Sequence, residues 1–184
     1  MERRILEARL CYAAIVAGKS ADFADQVTFK LWSYTVNGES PFEMFRRLGS
    51  KDAIMAVLWE VKSGRYSALA RCFWELCQSG IDLETCEPDE LERFPAIGRK
   101  TSRFFILWTR PGAPYAALDV HILKWLREQG HECTNRTPQT DTAYHNLEQI
   151  FLAEAKKRNM TARELDWLIW SGSTKSRGFV QSQT

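Results

Sequence analysis

Two residues in this chain are of types that do covalent chemistry and stand where secondary structure would aim them. Lys100 follows the tight sequence Phe94-Pro95-Ala96-Ile97-Gly98-Arg99. Asp119 stands immediately before the apolar run Val120-His121-Ile122-Leu123. An amine at a helix start, beside Arg99 and Arg103, is surrounded by positive potential that favours its neutral, nucleophilic form. A carboxylate that opens a helix is held ionised by backbone N–H groups and the helix dipole. Such a group can take a proton or stabilise a cationic sugar. Each also has a plainer use, Lys100 as a solvated first-turn lysine and Asp119 as a helix cap worth about 1 kcal/mol.

The elements around this pair must bring them into use. A short helix is expected to end at Phe94, and a second to run from Arg99 to Arg110. Pro95 sets φ for the turn between them, Ile97 can pin the turn to the core, and Gly98 permits positive φ or close approach. The second helix is roughly 18 Å long. Pro111-Gly112-Ala113-Pro114 stops it, and Pro111 to Leu118 can reach back about 26 Å. The carboxylate of Asp119 can therefore return beside Lys100. The N–H groups at the start of the second helix, with donors from Arg99 and Thr101, suit a phosphate oxygen. Contacts of that kind position a nucleic-acid backbone without reading its bases.

Charge patterning agrees. The chain has 184 residues and a formal charge of only +2. Residues 81–92 nevertheless hold six acids and no base, while residues 93–127 hold seven bases and one acid. A local block of that sign is a candidate phosphate footprint. The composition, 45% apolar and 26% charged, is that of a globular protein and excludes a disordered or collagen-like chain. Five scattered cysteines suit reduced thiols, and neither zinc nor iron–sulfur spacing occurs, so no metal or other cofactor is expected. The apolar stretch Leu10 to Gly18 is too short to span a bilayer and makes a poor export signal, so it reads as part of an amphipathic first helix.

Helical punctuation runs throughout. The pattern predicts helices over residues 2–17, from Ser20 to the Asn37-Gly38 break, from Ser40-Pro41 to Leu48, from Ser50 towards Gly64, and over 66–79 before Gly80. No alternating β run appears, so the fold class is all-α with eight to ten helices. The seven tryptophans fall mostly on apolar helical stripes and read as core, with Trp170 set apart because it precedes a polar tail.

Phe94-Pro95-Ala96-Ile97-Gly98-Arg99-Lys100-Thr101 resembles the helix–hairpin–helix of the endonuclease III and 8-oxoguanine DNA glycosylase superfamily. Leu118-Asp119-Val120-His121 resembles that superfamily's aspartate after a Gly/Pro-rich loop, and Gly64-Arg65-Tyr66 its Gly-x-Tyr-like helix start. The size and the segment Leu165 to Trp170 are most similar to compact microbial 8-oxoguanine glycosylases. Ala96 departs from the glycine usual in the hairpin.

The resemblance implies a two-lobed all-α fold forming a single glycosylase domain over residues 1–184, with the hairpin at about 88–110 and the terminal helices in the second lobe. It implies an enzyme that flips a damaged base, 8-oxoguanine foremost, out of double-stranded DNA. Lys100 would attack C1′ to form a Schiff base and give AP lyase activity, with Asp119 as the activating carboxylate. Pro95, Ile97, Gly98, Arg99, Thr101 and His121 would contact the DNA, and Trp170 would help form the base pocket. The expected protein is a monomer without cofactor or membrane partner, in the cytoplasm or nucleoid of a prokaryotic or phage-infected cell. A glycosylase for another oxidised or modified base, and a non-catalytic hairpin DNA-binding module, are the alternatives.

Overall fold

Caps decide where the helices of this chain begin. In the computed structural model, which describes residues 1–174, Ser20, Ser40 and Ser50 accept from the N–H groups of Phe23, Glu43 and Ala53. They open α2 (Ala21–Trp32), α3 (Pro41–Leu48) and α4 (Lys51–Glu60). At Ser40 the Glu43 carboxylate reaches back to the cap N–H at 2.7 Å, completing a reciprocal pair behind Pro41. The described residues form ten helices and no strand. The remaining ones are α1 (Arg3–Val16), α5 (Tyr66–Ser79), α6 (Pro88–Glu92), α7 (Arg99–Thr109), α8 (Val120–Glu128), α9 (Asp141–Lys157) and α10 (Ala162–Thr174). Among the described residues, no helix is long and apolar enough to cross a membrane.

The chain divides into two compact units, Met1–Phe105 and the residues from Ile106 onward, with the division inside α7. In the first, α5 packs on α3 and α4, and α1 packs on α2, α3 and α5. Phe42, Phe45 and Phe73 are fully buried, and the last two stack at 4.9 Å. Each such side chain contributes about 1.5–3 kcal/mol of burial. Glu7, only 1% exposed, is tolerated because Phe42 N–H and Arg3 Nε donate to its two oxygens at 2.9 and 3.0 Å. In the second unit, α10 packs on α8 and α9 around Leu123, Leu126, Phe151 and Leu165.

One helix ends earlier than expected. The hydroxyls of Ser33 and Thr35 donate back to the carbonyls of Lys30 and Trp32, closing α2 before Asn37-Gly38 is reached. The tryptophans are also placed differently. None of the seven is buried, and Trp59 and Trp167 are more than half exposed. The core is built from Phe, Leu and Ile instead, because the indole is too large to be enclosed easily and carries an N–H that needs a partner.

The far end of α9 carries an ionic cluster with a testable signature. Glu154 accepts from Lys157 Nζ at 2.5 Å, from Arg158, and from His131 Nε2 at 3.2 Å. Hydrogen bonds from Lys157 and Arg158 hold its carboxyl down at about 2. A lowered carboxyl contributes stability above its ordinary value of 4.5, and that contribution fades as pH falls towards 2. Melting temperatures of wild type and Glu154→Gln should therefore differ at neutral pH and converge near pH 2. A gap that stays constant through the acid range would contradict the assignment.

Candidate active site and nucleic-acid interface

The turn between α6 and α7 is held from inside. Leu91 and Ile97 are buried, and Ile97 N–H donates to the Phe94 carbonyl at 3.2 Å. The Gly98 carbonyl accepts from Thr101 and Ser102 N–H at 2.9 and 3.0 Å, which starts α7. A second tie runs across the hairpin. Glu92 Oε1 accepts from Ser102 Oγ at 2.9 Å and from Arg103 Nη1 at 2.6 Å. Arg103 is therefore paired, so one of the two cations flanking Lys100 is offset by a carboxylate. Glu92 reads in sequence only as part of an acidic block; its spacing of ten residues from Ser102 spans a turn and carries no local signal.

Of the two uses open to Gly98, positive φ and close approach, the first falls on Ala96 instead, at +66°. Gly98 has open space where a Cβ would stand. It needs no unusual backbone, so close approach is the use of glycine there that remains. Ala96 occupies the position where the resembled hairpins carry glycine, and an alanine in that conformation is strained by roughly 1 kcal/mol. Ala96→Gly should therefore stabilise the protein by up to about 1 kcal/mol, or roughly 2–4 °C at this length. A lowered melting temperature would show that the turn gains nothing from glycine there.

The candidate DNA-facing residues differ in what they offer. Gly98 is exposed, and Pro95 and Arg99 are half-buried. Ile97 and Thr101 are buried, at 4% and 5% exposure. Their side chains hold the turn, so a surface partner would meet their backbone. Lys100 is half-exposed on the first turn of α7, with Nζ 5.1 Å from the centre of the Phe104 ring. All these residues belong to the first unit.

Asp119 belongs to the second. It is the N-cap of α8, and its Oδ1 accepts from the N–H groups of His121 and Ile122 at 2.9 and 3.0 Å. Among the described residues no group donates to Oδ2. One oxygen is anchored and the other takes no hydrogen bond among these residues, an arrangement in which a carboxylate can both cap a helix and act on a bound group. His121 is half-exposed and its backbone N–H is taken by the cap. Trp170, half-buried on α10, stacks on Trp167 with ring centres 5.7 Å apart. The part of the C-terminal segment beyond residue 174 lies outside the described residues. The Gly64-Arg65-Tyr66 element opens α5 with two left-handed residues, Gly64 and Arg65, and Tyr66 stacks on exposed Trp59 at 4.0 Å.

No known sequence-family profile matches the chain. Solved structures do. The 8-oxoguanine DNA glycosylase of Thermotoga maritima is similar with a TM-score of 0.73 at 18% identity, over 97% of this chain and 83% of that one. The Methanocaldococcus jannaschii 8-oxoguanine glycosylase/lyase, solved in complex with DNA containing 8-oxoguanine, gives 0.68 at 17% identity, over 94% and 82%. A second structure of the M. jannaschii enzyme gives 0.70 at 16%, over 97% and 81%. The resemblance of residues 94–101 and of Asp119 and the likeness of the whole chain thus point to one architecture: this protein has the all-α fold of the microbial 8-oxoguanine DNA glycosylases.

Proposed function

We propose that this protein is a DNA glycosylase with AP lyase activity, that it removes a damaged base from duplex DNA, and that 8-oxoguanine is its substrate. The observation that carries the reading is Asp119. Its carboxylate is fixed by two backbone N–H groups through one oxygen and, among the described residues, accepts no hydrogen bond on the other, in a chain with the fold of 8-oxoguanine glycosylases. A helix cap alone would not need a charge there, and Lys100 supplies the nucleophile that a hairpin used only for binding would not need.

In this reading the open turn at Gly98 and the first N–H groups of α7 hold a backbone phosphate. The target nucleotide leaves the stack. The Lys100 amine forms a bond to C1′ as the glycosidic bond breaks, and the electron pair of that bond leaves with the base, which takes up a proton. Asp119 assists the attack and stabilises the positive charge that develops on the sugar. The attached nitrogen loses a proton, the C1′–O4′ bond opens with O4′ taking up a proton, and the Schiff base so formed labilises the C2′ proton, so that β-elimination expels the 3′ phosphate. Trp170 lines the pocket for the extruded base, and one copy of the chain acts on one lesion.

A panel of duplexes, each with one lesion or an abasic site, incubated with protein and borohydride, tests this directly. A trapped complex on 8-oxoguanine is expected. Trapping only on another oxidised base would keep the mechanism and change the substrate, and no trapping on any duplex, abasic DNA included, would reject the lyase.

The hairpin makes a separate prediction. Because Gly98 has no positive φ and open space around it, Gly98→Glu should fold normally. A carboxylate would then meet the phosphate. Affinity for damaged and undamaged duplex should fall together, on the order of tenfold or more at low salt. Unchanged non-specific affinity in fluorescence anisotropy would show that this turn is not the DNA anchor.

A further inference from the structure

The three residues before Asp119 are buried and belong to no helix. Ala116, Ala117 and Leu118 are 0, 2 and 0% exposed. A buried non-helical segment needs partners for its backbone polar groups, and the described residues offer no strand to pair with. Side chains take that place. The Tyr144 hydroxyl donates to the Ala116 carbonyl at 2.8 Å and accepts from Leu118 N–H at 3.1 Å. Glu148 Oε1 accepts from Ala116 N–H at 2.9 Å. Thr137 Oγ1 donates to the Leu118 carbonyl at 2.9 Å. Tyr144 and Glu148 are one turn apart on α9 and so share a face.

We infer that Tyr144, Glu148 and Thr137 are positioning residues that set the orientation of the Asp119 carboxylate by holding residues 116–118. The clamp fixes the backbone entering Asp119, and α8 fixes the backbone leaving it, through Leu123 N–H on the Asp119 carbonyl at 2.9 Å. Between these anchors the Asp119 backbone is held at both ends, which steadies the side chain whose Oδ1 caps α8. The inference rests on the proposed reading of Asp119 as the reacting carboxylate.

The test is single-turnover excision from an 8-oxoguanine duplex, well below the melting temperature. Tyr144→Phe removes the hydroxyl alone. It should slow excision about tenfold, the scale of a displacement of under 1 Å, with lesion-DNA affinity unchanged. In the Asp119→Asn background the same substitution should add less than about twofold, because it acts through the carboxylate. Equal losses in both backgrounds, or none in either, would overturn the inference. Should Tyr144→Phe fail to fold, Thr137→Val and Thr137→Ser decide: the valine variant should slow excision and the serine variant, which keeps the donor, should restore it. Amide exchange at His121 and Ile122 supplies a readout apart from activity. It should accelerate in Tyr144→Phe and Thr137→Val, and unchanged exchange there would overturn the clamp. Near-normal excision by Asp119→Asn alone is the separate sign that the reading of Asp119 has failed.

Discussion

Lys100→Gln should lose the borohydride-trapped complex altogether and slow base excision by roughly 10³-fold or more, as removal of a nucleophile does. Its fold should survive. Lys100 is half-exposed, and its Nζ lies over the Phe104 ring, a contact worth about 0.5–1 kcal/mol at such a site. Its loss lowers the melting temperature by no more than about 4 °C in a chain of this length. Gel analysis of trapped product beside a thermal melt separates the two effects. Undiminished trapping by a folded variant would take Lys100 out of the mechanism.

Asp119→Asn separates charge from capping. Asparagine caps a helix about as well as aspartate, and its carbonyl oxygen can keep the bonds from His121 and Ile122 N–H. The melting temperature should stay within about a degree. Excision should fall about 10²-fold or more, the range for a positioned acid–base group. Lesion binding should hold or improve, since a carboxylate near phosphates is unfavourable before reaction. Asp119→Ala, by contrast, should also cost about 1 kcal/mol of stability through the lost cap. If the two residues act as a unit, the double variant should be little slower than Lys100→Gln alone. Near-normal single-turnover excision by Asp119→Asn would leave the carboxylate as a cap only.

Local chemistry made much of this fold legible in the sequence. Ser20, Ser40-Pro41, Ser50, Gly80 and Asp119 each terminate or start a helix where the pattern expects, because a cap is a contact between neighbours in the chain. The hairpin was legible for the same reason, since Pro95, Ile97 and Gly98 act within a few residues of one another. Its strain was not. Glycine at 98 suits positive φ or close approach, and the backbone places the positive φ on Ala96, where the residue type argues against it.

Long-range ties left no sequence signal. Glu92 reads as one acid among six until Ser102 and Arg103 fold back onto it. Tyr144 and Glu148 belong to no sequence motif, yet they satisfy backbone groups 26 to 32 residues away. Hydrophobic periodicity also misplaced the tryptophans. An indole on an apolar stripe can lie at the edge of the core as well as within it, and the exposed Trp59 and Trp167 take the first course.

A covalent bond between Lys100 and a deoxyribose carbon is the central step of the proposed reaction. Borohydride reduction of wild-type protein on an 8-oxoguanine duplex, followed by nuclease and protease digestion and peptide mass spectrometry, identifies the residue that carries the sugar. The adduct is expected on the Nζ of Lys100. An adduct on another lysine or on the N-terminus, or excision that leaves no adduct, would contradict that expectation.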